Sequence, residues 1–356
     1  MRILFEHEHL YYLPQFEPII HDLQKRGETD IYCSISESVP NIEKMLFKKE
    51  MARLDVGMVQ GNFEPQRQRI IKDMNFDVIF VGNKTSLLSI KSRNSFAVMV
   101  YHGIGLKKSY YTDLSSEMDM ICVESKSREI QLSNMGFPAT TTGFTKLDPI
   151  AGKLNSDEKD REKTTLLYAP TFFPSSLQKT MPFIQQLDQY DLRIKLHHFY
   201  WTNPKYRPIR EALVMQIAHY NHVSLLGFDS YNIIDHFIDA DVLISDLSSV
   251  LFEFLPFNRP VIQTHYYSHR MKYKLFPHLL KKRLDSERLK SVNFTTNCNA
   301  PENLLDILNQ VTASPNENSS ERQSACEQFL GKIDGKASER VINALINSGI
   351  PIGQGD

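Results

Sequence analysis

DVLISDLSSVLFEFLPFNRPVI, residues Asp241–Ile262, changes character in a fixed order. Val242–Ile244 is a short apolar strand. A polar turn follows, Ser245-Asp246-Leu247-Ser248-Ser249, then an apolar helical run, Arg259-Pro260 and a second strand at Val261-Ile262. A strand–turn–helix–strand unit of this kind belongs to an open α/β sheet. Such sheets take ligands at the carboxyl ends of their strands. The turn sets two hydroxyls and backbone N–H groups at a helix N-terminus, where the dipole favours an anion such as a phosphate or diphosphate. Asp246 or Ser248 equally suits a plain helix cap, and this segment alone leaves both readings open.

The pattern recurs on both sides of this unit. Upstream, Thr165–Thr171, Arg193–Leu196 and Val223–Leu226 read as strands, and Thr171 and His197 stand at their carboxyl ends. Before them, Ala151–Lys163, with its run KLNSDEKDREK, is a charge-rich linker and the natural domain boundary. The first half starts again with a strand, Arg2–Phe5. A helix over Tyr11–Arg26 follows, with Leu13, Phe16, Ile19, Ile20 and Leu23 on one face. Gly27 suits its C-cap. Further strands are expected at Asp30–Ile35, Val78–Val81, Phe96–Tyr101 and Met120–Val123. This order predicts a doubly wound sheet in each half. The expected domains are 1–155 and 156–356, similar in size, with polar strand ends facing one cleft. The tail Ser319–Ser348 reads as helical, broken at Asp334-Gly335-Lys336, and its last helix is expected to pack back on the first domain.

Composition excludes several classes. At 356 residues and net charge -1 the chain has no global basic field that would imply nucleic acid. Its four cysteines are scattered without a CxxC pair, which supports neither a zinc site nor a disulfide framework and fits a reducing compartment. The start MRILFEHEHL lacks the long apolar core of a signal peptide, and no apolar run is long enough to span a bilayer. No GxGxxG follows the first strand, which counts against a dinucleotide cofactor. Glu6-His7-Glu8-His9 stands there instead. Its alternating pattern admits a metal, but without a distant third ligand it fits polar groups facing a cleft better.

His102 ends the strand Phe96–Tyr101 and is followed by Gly103, Gly105, Lys107 and Lys108. A histidine there sits where chemistry usually sits in this architecture. The glycines admit a substrate close to the backbone, and the lysines suit phosphate. A hydrogen-bonded structural histidine in a glycine turn is the competing reading. Met271–Lys290 (MKYKLFPHLLKKRLDSERLK) interleaves Lys and Arg with Leu, Phe and Tyr. It suits either an anionic membrane surface or a solvated face beside the cleft.

In order along the chain, these segments resemble the CDP-glycerol glycerophosphotransferase family, the TagB/TagF-like enzymes of teichoic acid and capsule synthesis. His102-Gly103 with Leu106-Lys107 is similar to its HGxxLK turn. Thr142-Gly143 with Lys146 and Asp148 is similar to TGxxRxD, and Leu167–Thr171 to LYAPT. Leu196-His197 matches LHP except that His198 replaces the proline. Ser245–Ser249 with Phe252-Glu253 resembles TDYSS…FD, and Asp334–Arg340 resembles DGxAxxR. Leu247, Glu253 and Lys146 depart from the family's tyrosine, aspartate and arginine, which puts the exact polyol donor in question more than the reaction.

The resemblance implies a GT-B-like fold of two Rossmann-type domains, the first binding the acceptor and the second a CDP-linked polyol phosphate. It implies transfer of glycerol phosphate from CDP-glycerol to a hydroxyl of a lipid-linked or glycan acceptor, with release of CMP. It also implies no metal or other cofactor at the site, and work at the cytoplasmic face of the membrane. Family polymerases often carry an extra N-terminal region. The chain starts directly in its first strand, so the resemblance points to a short form that makes single or few additions.

The roles that follow are His102 as the base taking the hydroxyl proton and His197 as donor to the leaving phosphate. Gly103, Thr171, Asp246, Ser248, Ser249 and Glu253 would contact the donor, with Asp246 on a hydroxyl or a histidine. Lys107 or Arg340 would neutralise charge. The rival readings are a GT-B glycosyltransferase using a nucleotide sugar and a non-catalytic nucleotide-binding protein.

Overall fold

The computed structural model describes residues 1–83, 87–104, 106, 114–154, 162–268 and 284–353. They form two parallel sheets. The first is seven-stranded, in the order β3-β2-β1-β4-β5-β6-β7. It is built from β1 (Ile3–His7), β2 (Ile31–Ile35), β3 (Gly57–Val59), β4 (Val78–Val81), β5 (Phe96–Val100), β6 (Met120–Val123) and β7 (Ala139–Thr141). The second is six-stranded, in the order β10-β9-β8-β11-β12-β13. Its strands are β8 (Thr165–Ala169), β9 (Asp191–Ile194), β10 (Val223–Leu225), β11 (Val242–Ser245), β12 (Val261–Thr264) and β13 (Thr296–Cys298). The central strands are apolar almost throughout because helices cover both faces of a parallel sheet. Phe5 and Phe80 stack at 4.5 Å across the β1–β4 pair, and Phe16 of the helix Leu13–Lys25 closes on Phe5. In the second sheet Leu166, Tyr168, Leu192, Ile194, Ile244 and Ile262 share one core.

Every strand expected from the sequence is present. Three were not foreseen: β3, β7 and β13. Each is a three-residue strand at an edge of its sheet, where it pairs on one side only. Three residues are too few to show a period-two pattern. The apolar helix expected after the Ser245–Ser249 turn is short. Val250–Glu253 is helical, and a 3₁₀ turn takes over at Leu255–Phe257, where Pro256 removes a backbone donor.

Chain contacts separate two units. The first comprises Met1–His102, Tyr111–Gly152 and Gln328–Asp356; the second comprises Gly103–Tyr110 and Lys153–Glu327. The expected boundary at 155/156 falls outside the described residues. The same holds for residues 271–283 of the basic segment, whose end forms the short helix Ser286–Lys290. Among the described residues no helix is long and apolar enough to cross a membrane.

A clasp holds the chain's last part within the first unit. Asp148 accepts hydrogen bonds from the backbone N–H of Ala337 (3.0 Å) and Ser338 (2.8 Å) and from Ser338 Oγ (2.7 Å). It therefore caps the helix Ala337–Asn347 from a distant part of the chain, satisfying donors that a helix start leaves open. Arg340 donates through Nε to the Thr142 carbonyl (2.6 Å) and through Nη1 to both oxygens of Asp334 (2.9 and 3.0 Å). Gly143 has φ +93°, and a Cβ there would lie 2.8 Å from an Arg340 nitrogen, so glycine is needed for both angle and space.

Candidate active site

Each sheet has one place where the strand order reverses, and a doubly wound sheet binds ligands there. In the first sheet the reversal lies between β1 and β4. The segments leaving those strands carry Glu8, Tyr12, Gly82 and Asn83. His102, which follows β5, is drawn to this point. Its Nδ1 lies 3.2 Å from the Gly82 carbonyl oxygen, and its ring stacks on Tyr12 at 4.5 Å and 14°. A carbonyl oxygen only accepts, so Nδ1 carries the proton and the lone pair of the neutral ring is on Nε2.

In the second sheet the reversal lies between β8 and β11. Asp246 is fully buried there, one residue after β11. One of its oxygens accepts from Thr171 N–H (2.8 Å), the other from Ser176 N–H and Oγ (both 3.0 Å). The hydroxyl Asp246 meets is that of Ser176, and the carboxylate ties down the loop leaving β8. Burial pushes its carboxyl up to about 7 against the pull of those donors. The folded state therefore holds this proton more tightly than the unfolded chain, and the group's contribution to stability falls as pH rises from about 4 to about 7.

Asp246→Asn must point its NH₂ at a backbone N–H. It is expected to cost about 1–3 kcal/mol. The asparagine variant has no proton to lose, so its deficit is larger at pH 5 than at pH 8. Denaturant midpoints at both values check this.

His197 lies just beyond β9 and beside Phe172, whose ring is 4.5 Å away. Its Nδ1 accepts from Phe199 N–H at 3.2 Å. The neutral ring therefore carries its proton on Nε2. The two histidines are held in opposite tautomers: His102 offers a lone pair at Nε2, and His197 offers a proton there.

The remaining expected residues divide. Gly103 belongs with the second unit, where a Cβ would lie 3.1 Å from Ser249 Oγ and 3.4 Å from Glu253 Oε1. These three residues are thus together, and Glu253 is buried. Ser248 Oγ accepts from Val250 N–H at 3.4 Å. Thr171 is joined to Asp246. Arg340 is engaged by Asp334 and Thr142 in the clasp. Lys107 lies outside the described residues. Sequence reasoning missed Tyr12, Gly82 and Ser176. Gly82 alone left a signal, a glycine directly after a buried strand.

Two Rossmann-type sheets in one chain, each with polar groups at its reversal point, define the GT-B class of α/β fold. Solved structures share it. The wall teichoic acid polymerase TagF, in a variant soaked with CDPG, aligns at TM-score 0.71 and 17% identity over 98% of this chain and 88% of its own. The UDP-GlcNAc 2-epimerase of Neisseria meningitidis bound to UDP-GlcNAc aligns at 0.62 and 13%, over 98% and 100%. The sequence separates these two likenesses. A model of the CDP-Glycerol:Poly(glycerophosphate) glycerophosphotransferase family matches residues 70–347, and the chain belongs to that family. The teichoic acid glycerol-phosphate primase of Bacillus subtilis (strain 168) is 24% identical over 274 residues. That match covers 67% of this chain and 65% of the primase, so it spans less than two thirds of the primase's length.

Proposed function

We propose that the protein transfers glycerol phosphate from CDP-glycerol to a hydroxyl of an acceptor and releases CMP. The observation that carries this reading is the family match across residues 70–347, which takes in both histidines and the Ser245–Ser249 turn. The acceptor oxygen attacks the β-phosphorus, the bond to the bridging oxygen breaks, and CMP leaves with that oxygen. Such a transfer asks mainly for positioning and charge stabilisation. His102 Nε2 takes the hydroxyl proton. His197 Nε2–H donates to the phosphate that leaves. Ser249 and Glu253, with Gly103 closing on them, contact the donor. Asp246 supports it indirectly by fixing the loop that carries Thr171.

We read the acceptor as lipid-linked or glycan, in teichoic acid or capsule synthesis, and the working place as the cytoplasmic membrane face. The reaction needs no resident cofactor in this scheme. The test is product analysis with CDP-glycerol, CDP-ribitol, UDP-sugars and GDP-sugars and a lipid extract as acceptor. CMP release from a CDP-polyol is the expected result. Nucleoside diphosphate release from a sugar donor alone would make the protein a glycosyltransferase. Binding without turnover of any donor would make it a nucleotide-binding protein.

A further inference from the structure

We propose that Gly82 and Tyr12 are positioning residues that fix the orientation and tautomer of His102; the inference rests on His102 acting as the base in the proposed transfer. Three observations meet on this ring. The Gly82 carbonyl receives Nδ1 at 3.2 Å. The Tyr12 ring lies nearly parallel to the imidazole, 4.5 Å away. Gly82 is itself the floor on which Tyr12 rests: a Cβ there would stand 2.5 and 2.7 Å from Tyr12 Cδ2 and Cε2. Gly82 does not have a positive φ, so the need for glycine is one of space rather than backbone angle. One residue thus supplies both the hydrogen bond to the histidine and the room for the ring it stacks on.

The far end of Tyr12 is held as well. Its hydroxyl donates to Glu8 Oε2 (3.2 Å) and accepts from Asn83 Nδ2 (2.8 Å), and Asn83 also donates to Glu8. Tyr12 is buried. The phenol can neither slide nor tip, so the imidazole stacked on it keeps one plane. The arrangement does for His102 what the third member of a nucleophile–base–orienter set does. It leaves the proton on Nδ1 and the lone pair on Nε2, and it accepts from the imidazolium formed when the hydroxyl proton arrives.

Gly82→Ala forces Tyr12 off its floor and moves the carbonyl from Nδ1. The expected result is a fall of about 10- to 100-fold in kcat for CMP release with KM for CDP-glycerol unchanged. Tyr12→Leu behaves similarly, and Tyr12→Phe, which keeps the stacked ring, recovers most of the loss. In a His102→Ala background Gly82→Ala should cause no further fall, because there is no imidazole left to orient. An equal fall in both backgrounds would show a merely structural role and overturn the proposal. A readout independent of turnover separates this from failure of the functional reading. With histidine labelled in ¹⁵N and His102→Ala for assignment, the neutral ring should show the proton on Nδ1 in the unmodified protein. It should lose that preference in Gly82→Ala. A His102 ring with its proton on Nε2 in the unmodified protein would also overturn the proposal, whatever the enzyme transfers.

Discussion

His102→Ala should lower kcat for CMP release by about 10²- to 10⁴-fold, the range that loss of a positioned general base usually costs. KM for CDP-glycerol should change little, because the role assigned to the ring is met by the acceptor's proton and not by the donor. The reasoning rests on one atom. Nδ1 is committed to the Gly82 carbonyl, so the lone pair that can take a proton is on Nε2 of the neutral ring. His102→Asn places an amide in the same space and supplies hydrogen bonds but no base, so it should fall almost as far. His197→Ala removes a donor and not a base. It should also depress kcat, and less so when the leaving group is made a weaker base. Steady-state CMP release with saturating acceptor, for all three variants, decides the matter. A His102→Ala enzyme within threefold of the parent would remove His102 from the chemistry and return it to the role of a structural histidine in a glycine turn.

The fold was legible in the sequence wherever physics acts locally. Apolar runs such as Val78–Val81 and Leu166–Tyr168 are buried on both faces and announce themselves. The edge strands β3 and β13 are half-exposed three-residue pieces whose pairing depends on a neighbour already in place, so their own residues say little. The site divides the same way. His102 and His197 stand at strand ends, and position alone marks them. Tyr12 cannot be read, because the ring it stacks on comes from ninety residues further along and the space beneath it from Gly82. Arg340 and Asp148 were legible as members of motifs but not in their role. A motif marks a residue whose replacement fails, and a clasp between distant segments fails as surely as a phosphate site does. Asp246 carries the same lesson. Its place in a polar turn suggested a ligand contact; that it is buried and accepts from three donors of the loop leaving β8 could not be read from the turn.

Arg67→Met should destabilise the protein by about 3–5 kcal/mol, the usual cost of stranding a buried charge. Arg67 is completely buried. Its guanidinium meets Glu6 in a two-pronged pair, Nη1 to Oε2 and Nη2 to Oε1, both at 2.8 Å. Nη1 also reaches Ser34 Oγ at 2.5 Å, and Nε donates to Glu64 at 3.0 Å. Glu6 is on β1 and is itself buried, so a methionine in place of Arg67 leaves a carboxylate in the core with its main partner gone. Glu6→Gln combined with Arg67→Met removes the stranded charge and should recover a large part of the loss, although either change alone is costly.

The pH dependence has a definite sign. Burial opposes ionisation of Glu64, but the hydrogen bond from Arg67, with Glu37 N–H and Gln68, outweighs it and holds this carboxyl below the ordinary range. A depressed carboxyl contributes stability above its unfolded pKa and loses it as pH falls through the folded value. The parent therefore loses this contribution in acid and the variant, which keeps Glu37 N–H and Gln68 at Glu64, has less to lose, so the deficit of Arg67→Met narrows as pH drops below the ordinary glutamate range. Urea midpoints at about pH 7.5 and about pH 3.5 test both statements. A deficit under about 1 kcal/mol at pH 7.5 would mean that Glu6 finds another partner or a proton at little cost, and that the Arg67 pair is not what steadies the end of β1 that leads into Glu8 and Tyr12.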